Sequence, residues 1–141
     1  MFRILTSLLL MTAIAQGARA QSESLPVDEA TLEGHKVYNQ VEHPATFPGG
    51  QKAWSAAIHK VLQQYTALLA QDGRQSRGEC DLQFVVWYDG SVSCVRPTTM
   101  TNSILAQVLV DYIENQSRWE PAMQNGYVVN AYHRIKVTYP E

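Results

Sequence analysis

The side chains best suited to chemistry in this chain are two cysteines, Cys80 and Cys94, and four histidines, His35, His43, His59 and His133. Metal binding needs ligands grouped at short spacings, and none of the histidines has a second ligand near it in sequence. The cysteines form no Cys-x-x-Cys pair and lack zinc partners at the usual separation, which sets aside dithiol redox and structural zinc chemistry. No nucleophile stands with a base and an orienting group, and no glycine-rich loop could cradle a phosphate. These patterns point away from an enzyme and imply no cofactor and no metal.

The C-terminal segment alternates cleanly. Val129, Ala131, His133, Ile135, Val137 and Tyr139 alternate with Asn130, Tyr132, Arg134, Lys136 and Thr138, which predicts one long strand, buried on one face and wet on the other. On the apolar face His133 reads as a core or rim histidine. Phe47 and Trp119 read as core anchors, and Arg134 and Lys136 as a solvated strand face.

The elements that must position this strand follow from changes of period. Trp54, Ala57, Ile58, Val61, Leu62, Tyr65, Leu68 and Leu69 recur at three- and four-residue spacings, predicting a helix near 50–70 that stops at Gly73. Leu82, Phe84, Val86 and Tyr88 alternate with Asp81, Gln83, Val85 and Trp87, a strand period. Asp89-Gly90 predicts a two-residue hairpin turn, and Pro97 ends the return strand. In that register Cys94 faces Val85, ~16 Å along the strand from Cys80. A disulfide needs Cα atoms within ~7 Å, so two free thiols are expected despite an oxidising compartment. Thr101, Asn102 and Ser103 offer caps for a second helix over 103–116, with Ile104, Leu105, Val108, Leu109, Tyr112 and Ile113 as its stripe. Asn125-Gly126 marks a further turn, and Pro121 confines the Trp119–Gln124 arm to an edge, paired with the near half of the long strand.

The expected fold is α+β: a three-stranded, antiparallel-rich sheet in the order 2-1-3 with two helices on one face. Trp54, Ile58, Leu62, Phe84, Val86, Leu105, Leu109, Ile135 and Val137 are its expected core. The long strand then lies at an edge.

Composition bounds the rest. The 141 residues are 45% hydrophobic and 17% charged with net charge −2, which fits one packed domain and lacks the basic stripe of a nucleic-acid binder. Arg3, the apolar run Ile4–Ala15 and Ala18-Arg19-Ala20 read as a signal peptide over 1–20, cleaved after Ala20. The run is about a dozen residues, short of the ~20 that span a bilayer, so no membrane span is expected in the mature chain. Residues 21–41, polar and without period, read as a flexible leader, and 42–141 as the domain. The expected location is periplasmic or secreted.

With these pieces in place the chain resembles a known family. Val37-Tyr38, Val41-Glu42, Pro44 and Phe47-Pro48-Gly49-Gly50 come first, followed by Phe84-Val85-Val86 and Asp89-Gly90-Ser91-Val92. Trp119-Glu120-Pro121-Ala122, Gln124-Asn125-Gly126 and Val129 complete the set. In that order and spacing, over residues 37–141, they are similar to the C-terminal domain of TonB, the bacterial energy transducer. The resemblance implies a module that takes an extended peptide, the TonB box of an outer-membrane transporter, along the edge of its last strand. An exposed strand edge offers unpaired N–H and C=O groups to such a peptide. The partner-binding residues implied here are His133, Arg134, Ile135, Lys136, Val137, Thr138 and Tyr139.

Two other readings stand beside this one. An uncleaved N-terminus would make the chain an anchored energy-transducer subunit for TonB-dependent transport. A self-associating structural protein would use the same edge to form a homodimer.

Overall fold

The structure is a computed structural model and describes residues 29–116 and 118–140. The expected signal peptide lies outside them. Among the described residues the chain forms an α+β fold with three helices, a five-stranded mixed sheet and a separate two-stranded hairpin.

The chain begins with β1 (Glu29–Leu32) and β2 (His35–Tyr38), an antiparallel pair. Helix α1 (Gly50–Gln64) follows, then α2 (Thr66–Asp72) and a 3-10 turn at Gly73–Ser76. Next are β3 (Gly78–Val86), β4 (Val92–Pro97) and α3 (Ile104–Glu114). The short strands β5 (Ala122–Gln124) and β6 (Tyr127–Val129) precede the last strand, β7 (Ala131–Tyr139). The large sheet runs β1-β2-β7-β3-β4. Its centre is the antiparallel β3–β7 pair, in register from Gly78↔Tyr139 to Val86↔Ala131.

Three of these strands, β4-β3-β7, have the expected order. The sheet is nevertheless wider than three strands, because residues read as flexible leader form β1 and β2. Their turn is Glu33-Gly34, with φ of 51° and 79°. That double positive φ is the two-residue turn whose twist suits a hairpin. Val37 is fully buried and fixes β2 in place.

One apolar cluster holds the layers together. On β3 the alternation sends Cys80, Leu82, Phe84 and Val86 to the helical side, where they join Trp54, Ile58, Leu62, Leu69, Leu105 and Leu109. Leu105, Leu109 and Ile113 are fully buried, each contributing about 1.5–3 kcal/mol by leaving water. Of the nine expected core residues only Ile135 is less than buried; it packs half-covered against the cluster. Helix α3 is capped as its sequence suggests. Ser103 Oγ accepts from the Ala106 N–H at 3.0 Å, while Asp72 and Ser76 accept from Ile104 and Leu105 at 2.9 and 3.1 Å.

Four local expectations are corrected. The helix expected through residue 70 breaks at Tyr65, where the Thr66 hydroxyl donates to the Leu62 and Gln63 carbonyls. Such back-bonding bends a helix. The Asp89-Gly90 turn has three loop residues instead of two: the Trp87 N–H donates to Ser91 O at 2.8 Å, and Gly90 alone is left-handed (φ 84°). The longer loop sets Val85 opposite Ser93 instead of Cys94, and a bulge at Cys94 (φ 56°) then restores the expected register, with Gln83 opposite Arg96. Cys80 is buried and Cys94 exposed, both free.

The fourth correction concerns the long C-terminal strand, which is interrupted at Asn130. Its side-chain oxygen accepts from the Tyr88 N–H at 2.8 Å and its amide donates to Lys36 O at 3.1 Å. Its carbonyl also accepts from the Tyr38 N–H at 2.9 Å. The part before this junction becomes β6, and the Trp119 arm pairs with β6 and with His43 and Thr46, not with β7.

Candidate functional site

Strand β7 has β3 on one side along its whole length, but β2 touches its other side only at the parallel Tyr38↔Ala131 bridge. The β2 side of residues 132–139 therefore carries no strand partner among the described residues. Backbone polarity on that side follows from the register. Along a strand, successive residues point their N–H and C=O to opposite sides. Asn130 O faces β2, since it accepts from the Tyr38 N–H. On β3, Asp81 O accepts from the Thr98 N–H and the Trp87 N–H donates to Ser91 O, so odd residues of β3 face β4 and even ones face β7. Both routes agree. Arg134, Lys136 and Thr138 turn their backbone groups outward, while His133, Ile135, Val137 and Tyr139 spend theirs on the β3 ladder.

The seven expected site residues thus divide by role. Side chains of Arg134, Lys136 and Thr138 are exposed on the face away from the helices, where Lys136 Nζ lies 3.5 Å from Glu79. Val137 is buried, and His133, Ile135 and Tyr139 are half-buried toward the helices.

A groove runs beside the open edge, between β7 and α1. Its upper part is a cavity of about 340 Å³ bounded by His133–Lys136 on the strand and by Ala45–Phe47, Gly50, Gln51 and Trp54 across from it, with Trp119 inside. Its lower part, about 290 Å³, lies between Lys136–Thr138 and the α1 residues Gln51, Trp54, Ser55 and Ile58. Gln51 and Trp54 are common to both, which makes the two parts continuous along the strand.

The wall of the upper cavity is aromatic. The Trp119 ring sits 5.1–5.6 Å from the rings of Phe84, His133, Phe47 and Trp54, spacings at which edge-to-face attraction adds to burial. Trp119 is held by its own backbone, whose N–H donates to Gly90 O at 2.9 Å. A Cβ at Gly90 would stand 2.3 Å from Trp119 O, so both the left-handed φ and this close approach require glycine. Burial holds the His133 imidazole below its ordinary pKa of 6.5, so it is neutral at pH 7. The Trp119 indole N–H is buried and has no hydrogen-bond partner among the described residues. A buried donor left unpaired is costly and uncommon.

Sequence reasoning located the strand but not the opposite wall. Phe47 and Trp119 were recognisable as buried aromatics, yet their convergence on His133 depends on the arm pairing with Thr46. Gln51 gives no signal in sequence, being a polar position in the first turn of a helix. Among the described residues no group of His, Cys, Asp and Glu is placed to hold a metal, and no helix is long and apolar enough to cross a membrane. No protein-family model, no curated protein and no solved structure matches the chain.

Proposed function

We propose that the protein is a binding module that accepts an extended peptide segment of another protein as an added strand on β7. The reading is carried by one observation: the outward N–H and C=O groups of Arg134, Lys136 and Thr138 face a groove and, among the described residues, no strand. A guest strand gains main-chain bonds there, while alternate side chains meet either the groove or the exposed face. The TonB-like order of motifs supports the same edge and suggests the partner, a TonB-dependent outer-membrane transporter or a related protein. Catalysis has no part in this reading.

Self-association through the same edge is less favoured. Two antiparallel copies would bring Arg134 and Lys136 of one strand beside those of the other, and like charges across a strand pair repel. Amide exchange tests the proposal. Addition of the soluble plug segment of such a transporter should protect the amides of 134, 136 and 138. Unchanged exchange there at saturating plug would refute strand addition.

A further inference from the structure

We propose that Arg134 sets the register of the docked strand by pairing with an acidic side chain directly opposite it, on the sheet face away from the helices. This rests on the strand-addition reading and specifies one residue of the guest.

Main-chain bonding alone leaves a guest free to slip. The outward groups recur at Arg134, Lys136 and Thr138, so a shift by two residues remakes bonds of the same kind and returns every side chain to its own face. Register has to come from side chains. Residues directly opposite on neighbouring strands share a face whichever way the strands run. Guest residues beside Arg134, Lys136 and Thr138 therefore point away from the helices.

Charge on that face differs from level to level across the sheet. Tyr132 lies opposite Val85, and Val85 opposite Ser93, a level with no charge. At the next level Arg134 lies opposite Gln83, and Gln83 opposite Arg96. Both arginines are exposed, and neither has an acidic partner among the described residues. One level on, Lys136 lies opposite Asp81, with its Nζ 3.5 Å from Glu79. The last level sets Thr138 opposite Glu79.

The open side of β7 thus passes an uncompensated cation, then a compensated one, then a position near an acid. An acidic guest residue gains most beside Arg134. Beside Lys136 it would compete with Asp81 and Glu79, and beside Thr138 it would approach Glu79. A basic residue beside Arg134 is repelled, since like charges directly opposite destabilise a strand pair. Arginine also suits the task chemically, because its planar guanidinium takes a carboxylate through two parallel N–H bonds.

End-capped heptapeptides of alternating Thr and Val, with Glu or Gln replacing one Thr and a nitroxide at one end, test this on the full chain. The Glu peptide should bind about 3-fold more tightly than its Gln counterpart at low salt, as expected of one opposite-charge cross-strand pair, and the gain should shrink in ~0.5 M salt. Moving the Glu two places along the peptide should slide the nitroxide's broadening two residues along β7, ~7 Å, because the acid stays beside Arg134. Arg134→Gln should remove both effects, and Arg134→Glu should transfer the preference to a Lys peptide. An undiminished Glu preference in Arg134→Gln would overturn the assignment. So would equal binding of Glu and Gln peptides while the amides of 134, 136 and 138 become protected, a result that leaves edge docking standing. If no peptide protects those amides, edge docking fails and the role of Arg134 with it.

Discussion

Proline scanning along β7 separates the outward register from its alternative. Lys136→Pro removes an N–H that points away from β3, so it takes no bond from the β3–β7 ladder. Proline is tolerated at such an edge position, and the residue before it, Ile135, already has the extended backbone that proline imposes. The lost Lys136–Glu79 pair joins side chains 57% and 61% exposed, a contact worth at most ~1 kcal/mol. The melting temperature should therefore drop by about 5 °C or less. Docking should suffer far more. Losing one inter-strand bond and leaving the guest carbonyl unpaired together cost about 2 kcal/mol, or roughly 30-fold in Kd. Val137→Pro is the internal control. Its N–H faces β3 opposite Cys80 and its side chain is only 5% exposed, so it should cost ~3 kcal/mol or more of stability. Thermal unfolding by circular dichroism and titration calorimetry with the transporter plug segment give both numbers for each variant. Equal destabilisation by the two prolines would show the register to be wrong. Undiminished binding by a well-folded Lys136→Pro would show that the edge is not where the guest docks.

Gly90→Ala should destabilise the fold by more than ~1 kcal/mol, since alanine is strained at φ 84° and its Cβ would press on Trp119 O; a denaturant midpoint equal to the parent's would contradict this. In the native state Cys94 should react promptly with a thiol reagent at pH 8 while Cys80 resists until unfolding, because burial raises the Cys80 thiol to about 11. Mass spectrometry after timed labelling reads this directly. His133 has a folded pKa below 6.5, so the unfolded chain binds its proton first and stability falls as the pH drops from 6.5 toward that lower value. His133→Gln should flatten this part of a stability–pH profile, and an unaltered profile would mean the imidazole is not buried.

How far the fold could be read in advance depended on the length over which a pattern repeats. The α1 and α3 stripes and the β3 and β7 alternations extend over several residues, and their elements lie where the periods place them. The β1–β2 hairpin is too short for a period to emerge from a polar segment, and its signal reduces to Glu33-Gly34 and the single apolar anchor Val37. Asn130 was unreadable for another reason. It keeps the alternation of its neighbours, and it ends pairing through bonds to Tyr88, Lys36 and Tyr38, which are remote in sequence. The Asp89-Gly90 signal located a turn but not its length, since the extra loop residue is compensated downstream by the Cys94 bulge. For the site, the strand half was local information and the groove half was not. Bringing Phe47, Gln51, Trp54 and Trp119 opposite His133 requires the bridges from His43 and Thr46 to Met123 and Glu120.

The point at which β2 parts from β7 also acts as a ruler. Beyond the Tyr38–Ala131 bridge the stretch without a strand partner among the described residues runs from Tyr132 to Tyr139, ~26 Å at the usual strand rise. Arg134, Lys136 and Thr138 each offer one donor and one acceptor over that span. With so few bonds, set against the ordering of a flexible guest, the contact belongs to the class that forms and releases quickly. Lengthening the guest past this span adds chain that must turn aside at β2. Under the proposed docking its dwell time should thus level off with length, as suits the sampling of a short tag.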